Sequence, residues 1–154
     1  MITLMPLKVL RVNERHVRDI RTLCEALAGV SLGQNFRTVE AVQVIQRQSA
    51  LEVWCAFDGD ALVGMAGLIV ADLFMGKRAF IEEVAVHPAY QGKGIGRSLV
   101  DQLIALARHA GCLCVDLTSN PQRIAANALY QRLGFRRRTT NVYRLDLSEK
   151  PPHS

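Results

Sequence analysis

Apolar positions along the chain change period several times, and each change marks an element. The run LKVLRV at 7–12 reads as a strand. Asn13 then caps a helix in which Val17, Ile20, Leu23, Cys24 and Leu27 keep a 3.6-residue spacing. Gly29 and Gly33 fall in a loop, and Thr38 caps a second helix through Val42 and Ile45. LEVWCAF at 51–57 is a strand, Asp58-Gly59-Asp60 a hairpin turn, and ALVGMAGLIVADLF the return strand. Gly76-Lys77 turns again into RAFIEEVAV at 78–86. From Gly94 to Ala110, the residues Ile95, Leu99, Val100, Leu103, Ile104 and Leu106 trace one helical face, ended by Gly111. CLCVDLTS at 112–119 predicts a buried strand, and residues 122–133 a helix stopped by Gly134. Two short strands, near 135–139 and 142–147, are expected to close the domain, with SEKPPHS at 148–154 a disordered tail.

This order predicts an α/β (α+β) fold with one domain over 1–147. A largely antiparallel sheet flanked by helices fits it better than a doubly wound parallel sheet. Length and composition agree: 154 residues can bury a real core, and 49% apolar with 21% charged residues is a soluble, globular balance. The formal charge of +5 favours anionic ligands of every kind. Pro6 and Lys8 break the short N-terminal apolar run, which argues against a signal peptide and makes cytoplasm the expected compartment. Cys24, Cys55, Cys112 and Cys114 form no C-x-x-C and have no histidine at zinc-ligand spacing, so no metal is expected. They read as small buried hydrophobes in a reducing compartment.

The stretch VHPAYQGKGIGRSL at 86–99 is the chemical signal. Gly92, Gly94 and Gly96 join a strand to a helix, with Lys93 and Arg97 between and after them. The first N–H groups of a helix lack internal partners and carry the positive end of its dipole. Glycines remove the Cβ atoms that would keep a phosphate away. Spacing alone leaves an anion site and a plain glycine-rich turn both open, since the pattern is neither G-x-G-x-x-G nor a Walker loop.

IEEVAVHPAYQGKGIGRSLVDQLIALARHAG resembles the core of the GNAT superfamily of acetyl-CoA-dependent N-acetyltransferases. The Q/R-x-x-G-x-G/A motif of that family matches at Gln91, Gly94 and Gly96, and ALYQRLGF at 128–135 is similar to its last-helix signature. The resemblance covers about residues 7–147. It implies a splayed, mixed sheet with about four helices and acetyl-CoA as cosubstrate. The pyrophosphate would sit on Gln91, Gly92, Lys93, Gly94, Ile95 and Gly96, with Arg97 at the rim. The pantetheine arm would run beside Val84, Ala85 and Val86, where the sheet opens between the strands at 78–86 and 112–119. Where many members carry Asn to bond pantetheine, this chain has Arg123, with Asn127 nearby as a further coenzyme contact. Arg123 could serve the coenzyme, select an acidic acceptor or lie on a solvated face.

Acetyl transfer to an amine needs a proton acceptor for the ammonium, a donor to the oxyanion and a proton for the thiolate. A backbone N–H near Val84 is the expected oxyanion donor. Glu82 and Glu83 stand inside an apolar strand, and period-two alternation sends them to opposite faces. Where related enzymes of the resembled family place a base on this strand, counting back from the loop glutamine gives the positions of Phe80 and Glu82. The resemblance thus makes Glu82 the first choice of base, with Glu83 second and Asp116 third. Tyr130 is the acid candidate, a phenol protonated at neutral pH. His87 reads as a turn residue.

The expected activity is acetyl transfer to a primary amine of a small molecule or peptide by direct attack. The alternative is a non-catalytic acyl-CoA-binding or regulatory domain. Nucleic acid is not an expected partner: Arg136–Arg138 lack the interleaved aromatics of a stacking platform. No membrane association is expected. A homodimer is common in the family, and the final hairpin would offer edges for it. Acceptor choice would fall to residues 29–38, with Gln34, Asn35 and Arg37, to the 73–78 turn and to the last hairpin.

Overall fold

The computed structural model describes residues 1–28 and 38–147. The loop with Gly29, Gly33, Gln34, Asn35 and Arg37 and the tail at 148–154 lie outside the described residues. Two compact units are present, Met1–Asn120 and Pro121–Ser154.

The first unit is built on a five-stranded sheet in the order β1-β2-β3-β4-β5. Its strands are β1 (Ile2–Pro6), β2 (Leu51–Asp58), β3 (Ala61–Ala71), β4 (Arg78–Val86) and β5 (Cys114–Asp116). β1 to β4 are antiparallel neighbours, and β5 joins parallel to β4, as a strand reached through a crossover helix must. The helices are α1 (Glu14–Ala28), α2 (Val39–Gln46) and α3 (Ile95–His109). Both expected caps are present: the Asn13 carboxamide accepts from His16 N–H at 3.1 Å, and the Thr38 hydroxyl accepts from Ala41 N–H at 3.2 Å.

β3 is the axis of the sheet. Residues Leu62–Leu68 are buried without a break, because helices cover both faces of this strand. On one face Val17 and Leu23 of α1 and Val42 of α2 pack with Cys55, Phe57, Leu62, Met65 and Ala85. On the other lies α3, with Leu99, Val100 and Leu103 fully buried. Gly64 permits that approach: a Cβ there would stand 3.1 Å from Ile95 Cγ2 and 3.3 Å from Leu99 Cδ1.

Several sequence expectations are corrected. The first strand is Ile2–Pro6 rather than 7–12, since Pro6 ends the pairing with β2 and Leu7–Val9 makes a turn of 3-10 helix. The Gln46 side chain holds that turn, donating to the carbonyls of Leu7 and Leu10. The buried strand expected over 112–119 is three residues long, with Leu113 and Cys114 exposed. The closing hairpin is absent: residues 135–147 form no strand and Val142, Tyr143, Leu145 and Leu147 are exposed. A two-stranded hairpin is marginal alone, and three successive arginines put like charges on both of its faces. Among the described residues no helix is long and apolar enough to cross a membrane.

In the second unit, α4 (Ile124–Arg132) ends on Gly134 at φ +91°. Phe135 N–H donates to Tyr130 O at 3.0 Å and Gly134 N–H to Gln131 O at 3.0 Å, a Schellman cap. The Tyr130 and Phe135 rings meet edge to face at 5.9 Å. Thus the aromatic and the Gly-Phe pair of the signature are one helix stop.

Truncating the α3 face, Leu103→Ala, is expected to cost about 2–5 kcal/mol. Urea unfolding should show a lower midpoint at unchanged slope; an unchanged midpoint would mean α3 packs elsewhere.

Candidate active site

The site begins with an irregularity in β4. Met65 pairs with Ala85 and Gly67 with Glu82, so Glu83 and Val84 together oppose Ala66. This is a β-bulge, and Glu83 takes φ +55°, the only left-handed non-glycine residue among those described. The bulge overturns the expectation that Glu82 and Glu83 face opposite ways. Pairing with Gly67 sets Glu82 on the sheet face of Met65, and Glu83 lines a cavity on that same face.

That cavity measures about 140 Å³ and lies between α1, α2 and the sheet. Its walls include Cys24 and Leu27 of α1, Val42 and Ile45 of α2, and Met65 and Glu83 of the sheet. Glu83 keeps solvent-accessible surface, yet its carboxyl titrates above the ordinary range because apolar surroundings desolvate it and the charge of Glu82 repels it. The same desolvation, helped by Glu83, pushes the Cys24 thiol up to about 11, while burial alone takes Cys55 to about 12. Both thiols are therefore neutral at physiological pH, consistent with packing rather than reactivity. Cys114, by contrast, is exposed.

The glycine loop stands at the end of β4. His87 closes the strand: its N–H donates to Val63 O at 2.8 Å, and its Nδ1 accepts from Ala89 N–H at 3.2 Å. It is a turn residue, as read from the sequence. The Gln91 amide donates to Val86 O at 3.2 Å and ties the loop to the strand. Tyr90 OH donates to Asp58 at 3.0 Å, anchoring the loop on the β2–β3 turn, and the Lys93 ammonium lies 4.6 Å from the centre of the Tyr90 ring. Gly92 and Gly94 have φ of +76° and +81°, and a Cβ on either would meet nothing within 4 Å. Open space therefore stands over the loop. The first bond of α3 runs from Ser98 N–H to Gly94 O at 3.0 Å, so the N–H groups of Ile95, Gly96 and Arg97 precede the helical ladder. Arg97 reaches Asp101 at 3.5 Å on the exposed side.

β5 pairs with β4 only at Arg78, Ala79 and Phe80, and the ladder stops there. Val84, Ala85 and Val86 lie beyond its end, so the sheet opens where the resemblance requires it. Asp116 is engaged by Arg78 in an ion pair across this short ladder, which gives it a structural role.

In the second unit, Tyr130 is buried. Burial raises its phenol above the ordinary value, opposed by the charge and hydrogen bond of Arg123, which is half-buried at the N-cap of α4. This bond, absent from the sequence reading, removes Arg123 from the solvated-face alternative. Asn127 donates from its backbone to Arg123 O at 2.9 Å and from its side chain to Pro121 O at 3.5 Å.

Comparison with known proteins agrees with this geometry. Residues 20–135 match the model of the acetyltransferase (GNAT) family. A glucosamine 6-phosphate N-acetyltransferase of Trypanosoma brucei brucei is 32% identical over 152 residues, 93% of this chain and 96% of that protein. Among solved structures, an acetyltransferase of Trypanosoma brucei superposes with TM-score 0.76 at 24% identity, covering 96% of this chain and all of that one. A predicted acetyltransferase of Clostridium acetobutylicum, solved with acetyl-CoA, does so with TM-score 0.71 at 15% identity, covering 98% and 99%. The chain belongs to the GNAT acetyltransferase family. It is an N-acetyltransferase, and acetyl-CoA is the acyl donor that family uses. The open space over Gly92 and Gly94, the unladdered N–H groups of α3 and the parting of β4 from β5 fit such a donor. Among the described residues no group of His, Cys, Asp and Glu is gathered for a metal.

The raised carboxyl of Glu83 makes a stability prediction. A group that titrates higher folded than unfolded contributes stability below its unfolded pKa, and that contribution is lost as pH rises through the folded pKa. Glu83→Gln should therefore gain melting temperature relative to wild type as pH rises above the ordinary glutamate pKa of about 4. A difference independent of pH would show that Glu83 is not desolvated.

Proposed function

We propose that the chain acetylates the primary amine of a small molecule or peptide by direct attack, with Glu83 as proton acceptor and Tyr130 as proton donor to sulfur. The observation that carries this reading is the bulge, which turns a carboxyl of raised pKa into a cavity beside the strand that would hold the donor. Acetyl-CoA supplies the thioester. Glu83 takes one proton of the ammonium and passes it to solvent, and a raised pKa makes it a stronger base than an ordinary carboxylate. Desolvation keeps that pKa high, and the charge of Glu82 on the same face adds to it. The second amine proton, shed as C–N forms and C–S breaks, replaces the one that Tyr130 gives to sulfur. Arg123 can only donate hydrogen bonds, so its contact with the phenol leaves the Tyr130 proton free for transfer.

Gln91, Gly92, Lys93, Gly94, Ile95 and Gly96 would bind the pyrophosphate through their backbone, with Lys93 and Arg97 adding charge at the rim. Val84, Ala85 and Val86 would carry the pantetheine arm, and the family resemblance adds Asn127 as a further coenzyme contact. The compartment we assign is the cytoplasm. The exposed Val142, Tyr143, Leu145 and Leu147 support self-association as a homodimer.

Calorimetry tests the donor site. Wild type should bind acetyl-CoA at micromolar strength, and Gly94→Glu, which sets a carboxylate where the phosphates would lie, should not. Equal binding by both would refute the loop assignment. With an accepted amine, Glu83→Gln should lower kcat/KM by about 10²-fold and remove the acid limb of the pH profile. Tyr130→Phe should lower kcat more than it raises KM. A Glu83→Gln variant that keeps its acid limb would move the base to Glu82.

A further inference from the structure

The cavity walls also bear on the acceptor. Of the described residues that line it, Glu83 alone is charged; the rest are aliphatic, Met or Cys. Both thiols are held neutral, as described above. An apolar cavity of about 150 Å³ stays dry and takes a guest the size of benzene, and this one is of that size.

An amino sugar would fare badly here. The described residues that line this space offer a hydroxyl no polar side chain but Glu83, so the hydroxyls of a sugar moved in from water would go short of partners. A sugar phosphate would also set its dianion against Glu83. An ammonium has the opposite fit, because Glu83 is the one charge among the described residues of the wall and its sign is complementary.

We propose that the acceptor is a primary amine on a compact apolar body, an arylalkylamine or branched alkylamine, seated between α1, α2 and the sheet with its nitrogen at Glu83. This rests on the acetyltransferase reading for its chemistry, but the cavity can be probed without the donor. The similar trypanosomal protein bears the name of an amino-sugar phosphate enzyme; the walls described here predict that this chain differs from it in acceptor.

The test is ligand-observed NMR of the full chain with 2-phenylethylamine and, separately, glucosamine 6-phosphate, without acetyl-CoA. Binding of 2-phenylethylamine at least ten-fold tighter than the sugar phosphate is expected. Cys24→Phe, which fills the cavity, should weaken 2-phenylethylamine at least ten-fold and leave acetyl-CoA affinity unchanged. Ile45→Trp, on the half-buried side of α2, replaces it if its melting curve shows misfolding. Tighter binding of the sugar phosphate, or binding of 2-phenylethylamine indifferent to filling, overturns the proposal. Failure to bind acetyl-CoA would instead refute the donor site and leave this result standing. With the donor present, thiol release should follow the same order of amines.

Discussion

The bulge that sets Glu83 and Val84 against Ala66 is the constraint from which the rest of the site follows. An unbroken β4 would carry its side chains in strict alternation and lay one of its two glutamates on the α3 face. The extra residue resets the parity, so that Ala85 joins the core beneath α1 and α2 while Glu83 turns into the cavity. A left-handed glutamate is costly, and such strain persists only where the surroundings hold it. Here β3 pairs on both sides of the irregularity and supplies that hold.

The two ends of β4 then do different work. Its first three residues are clamped by β5 and by the Arg78–Asp116 pair. Its last residues run into a loop pinned by Gln91 on Val86 and by Tyr90 on Asp58. Between the clamp and the pin the strand is held in place on the β3 side and open towards β5. Rigid support with an open edge is what preorganised binding of an extended ligand requires.

Much of this was legible in the sequence, and the residues show why. Asn13 and Thr38 are local signals, since a cap depends on the next three residues alone. The glycine loop was legible because Gly92, Gly94 and Gly96 stand at alternate positions, and the first two of them take the positive φ that glycine allows. The helix stop at Gly134 and Phe135 was equally local. What escaped depends on partners distant in the chain. A strand at 7–12 was a fair reading of LKVLRV, but pairing with β2 uses Ile2–Pro6, and Gln46 folds the next residues into a turn. The bulge left no mark in alternation, because both glutamates are polar. The closing strands had a suitable pattern at Tyr143, Leu145 and Leu147 without a neighbour to pair with among the described residues. Arg123 stood out as a departure from the family, but its bond to Tyr130 needs two turns of helix to come into register.

The short parallel ladder has a kinetic consequence. β2, β3 and β4 pair through contacts close in sequence, whereas β1 reaches β2 across α1 and α2, and β5 reaches β4 only once α3 has carried the chain across. Three rows of pairing then give β5 little to resist local opening. Backbone amides of β5 should exchange their hydrogens for deuterium sooner than those of β3, which is paired on both edges. The sheet is thus graded from a slow-exchanging centre to a fast-exchanging margin.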